Sequence, residues 1–160
     1  MKKDISQDRF HSLAGFELGR ELIAAPIQQA RGRNLAIKKE VYDGLTPGQR
    51  SLFGFWVLYG HVQDGWLPFL QWAYGEYLRM IRASLQSPEF QSLMESLDRA
   101  DHLFQDYQRA LDSASPEAAG QIAAQFAILD SLLPTLLPAA MSSLEALIRV
   151  NPQEFVSFTD

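Results

Sequence analysis

The chain has no cysteine, which excludes a disulfide framework and any thiolate metal or redox site. An apolar leader is missing as well. Met-Lys-Lys is followed by Asp4, Ser6, Gln7, Asp8 and Arg9 where the hydrophobic part of a secretory signal would lie, so no signal peptide is expected. The most apolar window, 126–148, is long enough to span a bilayer but carries Asp130, Pro134, Pro138 and Glu145. It reads as buried helix, and the expected setting is cytoplasmic, away from membranes. No Walker loop, GxGxxG, GxSxG or Cys/His cluster is present, so the common nucleotide, hydrolase and zinc signatures fail. Strand-like alternation of useful length and a convincing internal repeat are also lacking.

What is present fits one globular domain. The 160 residues are 47% hydrophobic and 21% charged, and a chain of this size buries roughly two-thirds of its extended surface on folding. The net charge of −5 conceals a division: residues 1–50 hold nine Lys/Arg against six Asp/Glu, and residues 51–160 hold five against thirteen. An acidic surface of that kind repels nucleic acid and attracts basic partners over a screened range of about 10 Å, although solubility alone is the plainer reading. The one basic cluster, Arg31, Arg33, Lys38 and Lys39, lacks aromatic interleaving or a glycine-rich backbone and reads as a solvated face.

Half of the aromatic residues fall in 46–77: Phe53, Phe55, Trp56, Tyr59, Trp66, Phe69, Trp72, Tyr74 and Tyr77 are nine of eighteen. Each large ring hides on the order of 150–250 Å² when buried, which makes this stretch the expected centre of the core. Thr46-Pro47-Gly48-Gln49 is a helix start with a capping residue, a proline at the first position and a glutamine able to bond back. The helix that follows, about 47–63, is apolar nearly all round and is expected to be central, with Trp56, Phe53 and Phe69 mostly buried.

Elsewhere, Phe10, Leu13, Phe16 or Leu18, Leu22 and Ile23 predict a first helix over 5–25 that Pro26 ends. A short helix over 35–42 is closed by Asp43-Gly44. Asp64-Gly65 supplies a sharp corner, and a helix then runs from Trp66 past Gly75 to Leu85. Ser87-Pro88-Glu89 and Ser115-Pro116-Glu117 repeat a serine, proline, acid start. The first leads into the best amphipathic helix of the chain, 87–111. The second leads to Leu133, where Pro134 and Pro138 are expected to break or kink the run before a last helix over 139–150. The prediction is a single all-α domain, residues 1–160, of six or seven helices, with N-terminal helices over 1–44.

Two constellations could carry chemistry. His61 and Asp64 lie one turn apart beside Trp66 and Trp72, a candidate aromatic pocket, but no nucleophile or oxyanion donor accompanies them. Asp98, His102 and Asp106, with Glu95 one turn earlier, share a helix face and are chemically plausible metal ligands. A single helix face rarely closes a metal site, and an i,i+4 pairing of Glu95 with Arg99 makes a solvated face the better reading. No metal or other cofactor is assigned.

Leu45-Thr46-Pro47-Gly48-Gln49-Arg50, the aromatic helix, and then His61-Val62-Gln63-Asp64-Gly65-Trp66-Leu67-Pro68-Phe69-Leu70 resemble the bacterial DNA-mimic-protein-like domain family. The ending Leu147-Ile148-Arg149-Val150-Asn151-Pro152-Gln153-Glu154-Phe155 is similar to that family's closing helix, and the resemblance covers roughly residues 40–158. It implies an all-α fold and, by analogy with the family's named example, acidic side chains that imitate DNA phosphates toward a DNA-binding protein. Those acidic positions are outside the shared motif, so none transfers to a residue of this chain.

The expected function is a non-enzymatic protein-binding module facing a basic partner, without direct nucleic-acid binding and with room for a homodimer. Glu95, Asp98, Asp106 and Asp112, on or just after the 87–111 helix, are the expected contact residues. The competing reading is a small-molecule-binding protein or enzyme using a pocket near His61, Asp64, Trp66 and Trp72.

Overall fold

The computed structural model describes residues 2–73 and 75–159; Tyr74, counted among the nine clustered aromatics, lies outside them. The chain is all-α in class. Among the described residues it has nine α-helices, two short 3-10 turns and one pair of strands. In order these are β1 (Lys3–Ser6), α1 (Gln7–Ser12), α2 (Gly15–Ala30), α3 (Leu35–Asp43), α4 (Pro47–His61), α5 (Trp66–Ala73), α6 (Glu76–Ser84), α7 (Gln91–Asp112), α8 (Pro116–Asp130), α9 (Leu133–Val150) and β2 (Val156–Thr159). No single helix among the described residues is long and apolar enough to cross a membrane, although α8 and α9 together reach that length and composition as a bent pair. Residues sort into two compact units, 1–56 with 141–160 and 57–140, whose limits fall inside α4 and α9.

In the first unit the chain ends meet. β1 and β2 pair in parallel with Lys3 opposite Val156, a pairing that the sequence reading missed. Four residues with only Ile5 buried in β1 are too short to register as a period. The helix expected over 5–25 is two helices, because Leu13 and Ala14 are extended between α1 and α2. Pro26 does not end α2 either: it sits inside the helix with its ring buried, and that burial offsets the one backbone hydrogen bond the helix loses there. Glu145 Oε2 accepts from the Gly15 N–H at 2.7 Å, at the α2 N-terminus. Arg149 fixes the same turn by donating to Phe10 O (2.8 Å) and to Leu13 O while lying over the Phe10 ring.

The α4 start behaves as its sequence signature requires. Thr46 N–H donates to Gln49 Oε1 (3.1 Å) and Gln49 N–H to Thr46 Oγ1 (3.3 Å), a reciprocal capping box with Pro47 next in line. The C-terminal segment adds to it: Glu154 Oε2 accepts from the Gly48 N–H (2.6 Å), and the Thr46 hydroxyl donates to Glu154 O (3.0 Å). Phe53 and Phe55 are buried, and Trp56 keeps only a minor part of its surface exposed.

The second unit contains α5 to α8 and the flanking parts of α4 and α9. Its core includes Leu58, Val62, Trp66, Phe69, Leu70, Ile81, Leu97, Phe104 and Phe126. Gly65 has φ +100°, as the Asp64-Gly65 corner demands. The helix expected over 66–85 is divided at Gly75, which adopts φ +91° before α6. A 3-10 turn, Pro88–Phe90, precedes α7. The run from Pro116 does break ahead of Pro134, at residues 131–132, where α8 and α9 are bent by 47°, but α9 then continues through Pro134 and Pro138. Pro134 is its second residue, where an N–H would be unbonded anyway, and Pro138 lies on the exposed side of the helix. The divisions at residues 13–14 and at Gly75 account for nine helices in place of six or seven.

Candidate functional site

α7 buries Leu93, Leu97, Ala100 and Phe104 along one face, at the three- and four-residue spacing that predicted the helix. Glu95, Asp98, Asp106 and Asp112 are all exposed. Their surroundings differ. Arg82 of α6 reaches across to α7 and pairs with Asp98 and, at 2.8 Å, with Asp101. Asp106 pairs with Arg109 one turn on. Glu95 accepts from Gln91 Nε2 at 2.9 Å, in place of the expected pairing with Arg99.

Between the end of α6 and the start of α7 lies a groove of about 620 Å³. Leu85, Pro88 and Met94 supply apolar surface, Gln86, Ser87 and Gln91 supply hydrogen-bonding groups, and Arg82, Glu95 and Asp98 supply charge. Two of the four acidic residues singled out from sequence therefore share one concave surface. Asp106 is in another, shallower groove of about 400 Å³ with Arg99, His102, Leu103 and Ile128, and Asp112 follows at the helix end. Beside the first groove, the Ser87 hydroxyl and the backbone N–H of Glu89 hold the Glu89 carboxyl below the usual carboxylate range.

Sequence reading missed Asp101 and Arg82 as a pair, because they are nineteen residues apart and neither carries a local signal. It also missed Asp130. Its Oδ1 accepts from the Trp66 N–H at 2.8 Å, so it caps α5 from 64 residues away, and it lies against Gly65 where a Cβ would come within 2.7 Å of its Oδ2.

The alternative aromatic pocket is not assembled as foreseen. His61 stacks on Trp72 with ring centroids 3.7 Å apart and planes 9° from parallel, and Tyr77 stacks on Trp72 at 4.8 Å. His61 Nδ1 bonds to Val57 O at 2.9 Å, which leaves Nε2 as the acceptor of the neutral ring. Trp72 is 40% exposed and Asp64 is exposed, but Trp66 is sealed, with no ring surface to offer a ligand and its buried Nε1 without a hydrogen-bond partner among the described residues. The structure joins His61 to Trp72 and withholds Trp66.

His102 Nδ1 bonds to Asp98 O at 2.7 Å, within its own helix. Among the described residues no group of three or more His, Asp or Glu side chains is placed to hold a metal ion. The 57–140 unit carries four Lys/Arg against ten Asp/Glu, a balance of −6, and none of its cations is lysine. The chain matches no family model, and comparisons with curated proteins and with solved structures find no match.

Proposed function

We propose that this protein is a non-enzymatic protein-binding module that receives a basic segment of a partner in the α6–α7 groove. The observation that carries this reading is the coincidence of apolar surface, from Leu85, Pro88 and Met94, with the Glu95 and Asp98 carboxylates in one concave surface of a unit with charge −6. A lysine or arginine side chain suits such a place: its methylenes cover apolar surface while its charged head reaches a carboxylate. Charge of this kind raises association rate and selects partners more than it adds affinity. The resemblance of residues 40–158 to the DNA-mimic-protein-like family adds the expectation that the basic partner is a nucleic-acid-binding protein.

Arg82 tempers the field of Asp98 and Arg109 that of Asp106, so Glu95, with Asp112 at the end of α7, supplies most of the remaining attraction. The test is affinity capture from native cytoplasm at low and high salt with the wild-type chain and with Glu95→Lys/Asp106→Lys/Asp112→Lys. Wild type retains basic proteins that high salt releases, and the variant does not. The variant folds normally, because exposed charges each contribute about 0–1 kcal/mol. Equal retention by a folded triple variant removes this face from the account.

The exposed His61 and Trp72 stack supports a second reading, binding of a flat small molecule against the rings. Quenching of tryptophan fluorescence by a small aromatic ligand, abolished in Trp72→Ala, is its expected signature.

A further inference from the structure

The α6–α7 groove needs a basic segment with apolar side chains, and this chain carries one itself. α3 has nine residues and no buried side chain. Helices shorter than about 12–15 residues are marginal in water unless an apolar face packs against something. Asn34 holds the first turn by accepting from the Ile37 N–H at 3.0 Å, and Leu35 and Ile37 are left 48% and 37% exposed. Arg31 and Arg33, just before the helix, are exposed as well. Of the neighbouring charges, Lys38 is half-buried, Lys39 is paired with Asp43, and Glu40 lines the seam between α2 and α3, which Arg33 and Ile37 also border. The 31–37 surface is therefore apolar with a cationic edge. The α6–α7 groove is its inverse in sign, apolar with an edge of two carboxylates, Glu95 and Asp98, the second shared with Arg82.

We infer that the α3 region of one copy docks in the α6–α7 groove of a second copy, Leu35 and Ile37 meeting Pro88 and Met94, and Arg31 and Arg33 meeting Glu95 and Asp98. This rests on the groove reading above and deepens it by naming a partner, the chain itself. The dimensions agree. At 1.5 Å per residue α3 is about 14 Å long, and a groove of about 620 Å³ takes a few side chains from its first turn and not the helix entire. The two surfaces differ, so the contact is heterologous: two reciprocal contacts close a dimer, and a one-way contact continues into a chain.

Sedimentation velocity of the full chain over a rising concentration series, at low and high salt, tests this. Wild type associates at low salt and dissociates at high salt. Arg31→Glu/Arg33→Glu and, separately, Glu95→Lys each weaken association by about tenfold, since reversing a pair replaces attraction with repulsion of similar size. Leu35→Ala weakens it without changing the response to salt. The decisive arm mixes the two charge variants. Each is defective alone, but the intact α3 of one still fits the intact groove of the other, and association returns.

All the altered positions are exposed, and circular dichroism verifies that each variant is folded. A monomeric wild type, association indifferent to Arg31→Glu/Arg33→Glu, or no recovery on mixing overturns the inference. If basic proteins are still captured in a salt-sensitive manner, the failure belongs to self-docking alone; loss of capture too overturns the groove reading with it.

Discussion

The two units use their charges differently. Residues 1–56 with 141–160 hold ten Lys/Arg against nine Asp/Glu, and several of these tie distant parts of the chain together. Lys3 pairs with Glu21 at 3.1 Å, Glu145 caps α2, Glu154 caps α4, and Arg149 binds the Phe10–Leu13 turn. In residues 57–140, where acids outnumber bases ten to four, Arg79, Arg82 and Arg109 pair with carboxylates on the same or the adjacent helix. Surplus carboxylate remains along α7. A net charge of −5 describes neither unit: one is nearly neutral, and the other holds the excess.

The largest effect expected from breaking this comparison comes from the cores. Trp66 is fully buried in the 57–140 unit and Trp56 partly buried in the other. Trp66→Ala costs about 3–5 kcal/mol, and Trp56→Ala somewhat less, because part of its surface is already in water. Urea denaturation read by circular dichroism gives both values. Equal losses would show that the two units do not differ in the way their tryptophan burial implies.

Glycines at helix starts give the next effect. Gly65 and Gly15 both have positive φ, but a Cβ on Gly65 strikes the Asp130 carboxylate and one on Gly15 meets nothing within 4 Å. Gly15→Ala then costs about 1 kcal/mol, the left-handed strain alone, and Gly65→Ala about 2–3 kcal/mol, with the steric term added. Asp130→Ala removes the α5 cap for about 1 kcal/mol. In that background Gly65→Ala costs less than alone, a coupling that a double-mutant cycle measures.

The smallest effect is the pH response of Glu89. Its carboxyl is held low by the Ser87 hydroxyl and its own backbone N–H, so the folded state favours the ionised form. The stabilisation is fully present above the ordinary carboxylate pKa and is lost as pH falls through the lower folded value. Glu89→Gln removes that part of the acid dependence. Stability curves of the two proteins should separate at neutral pH and converge in acid, and parallel curves would remove the Ser87 contact from the explanation.

Local signals were legible wherever a few neighbouring residues decide the outcome. The Thr46–Gln49 capping box, the apolar stripe of α7 and the Gly65 corner all depend on contacts within about one turn, and each formed as read. The prolines were misread for the same reason. Alone, Pro26 and Pro138 predict breaks, but both helices continue, with the Pro26 ring buried and Pro138 on the exposed side.

The sequence by itself determined the all-α class, the positions of most helix starts and the exposed placement of Glu95, Asp98, Asp106 and Asp112. Only the tertiary structure decided how carboxylates of similar appearance are employed. Asp130 and Glu145 looked like interruptions of an apolar stretch, yet they cap helices begun 64 and 130 residues earlier, while Glu95 and Asp98 line a groove. The physical reason is range. A periodic stripe or a capping box is settled by backbone geometry over three or four residues, whereas the partner of a carboxylate is whichever N–H, guanidinium or open water the fold brings to it.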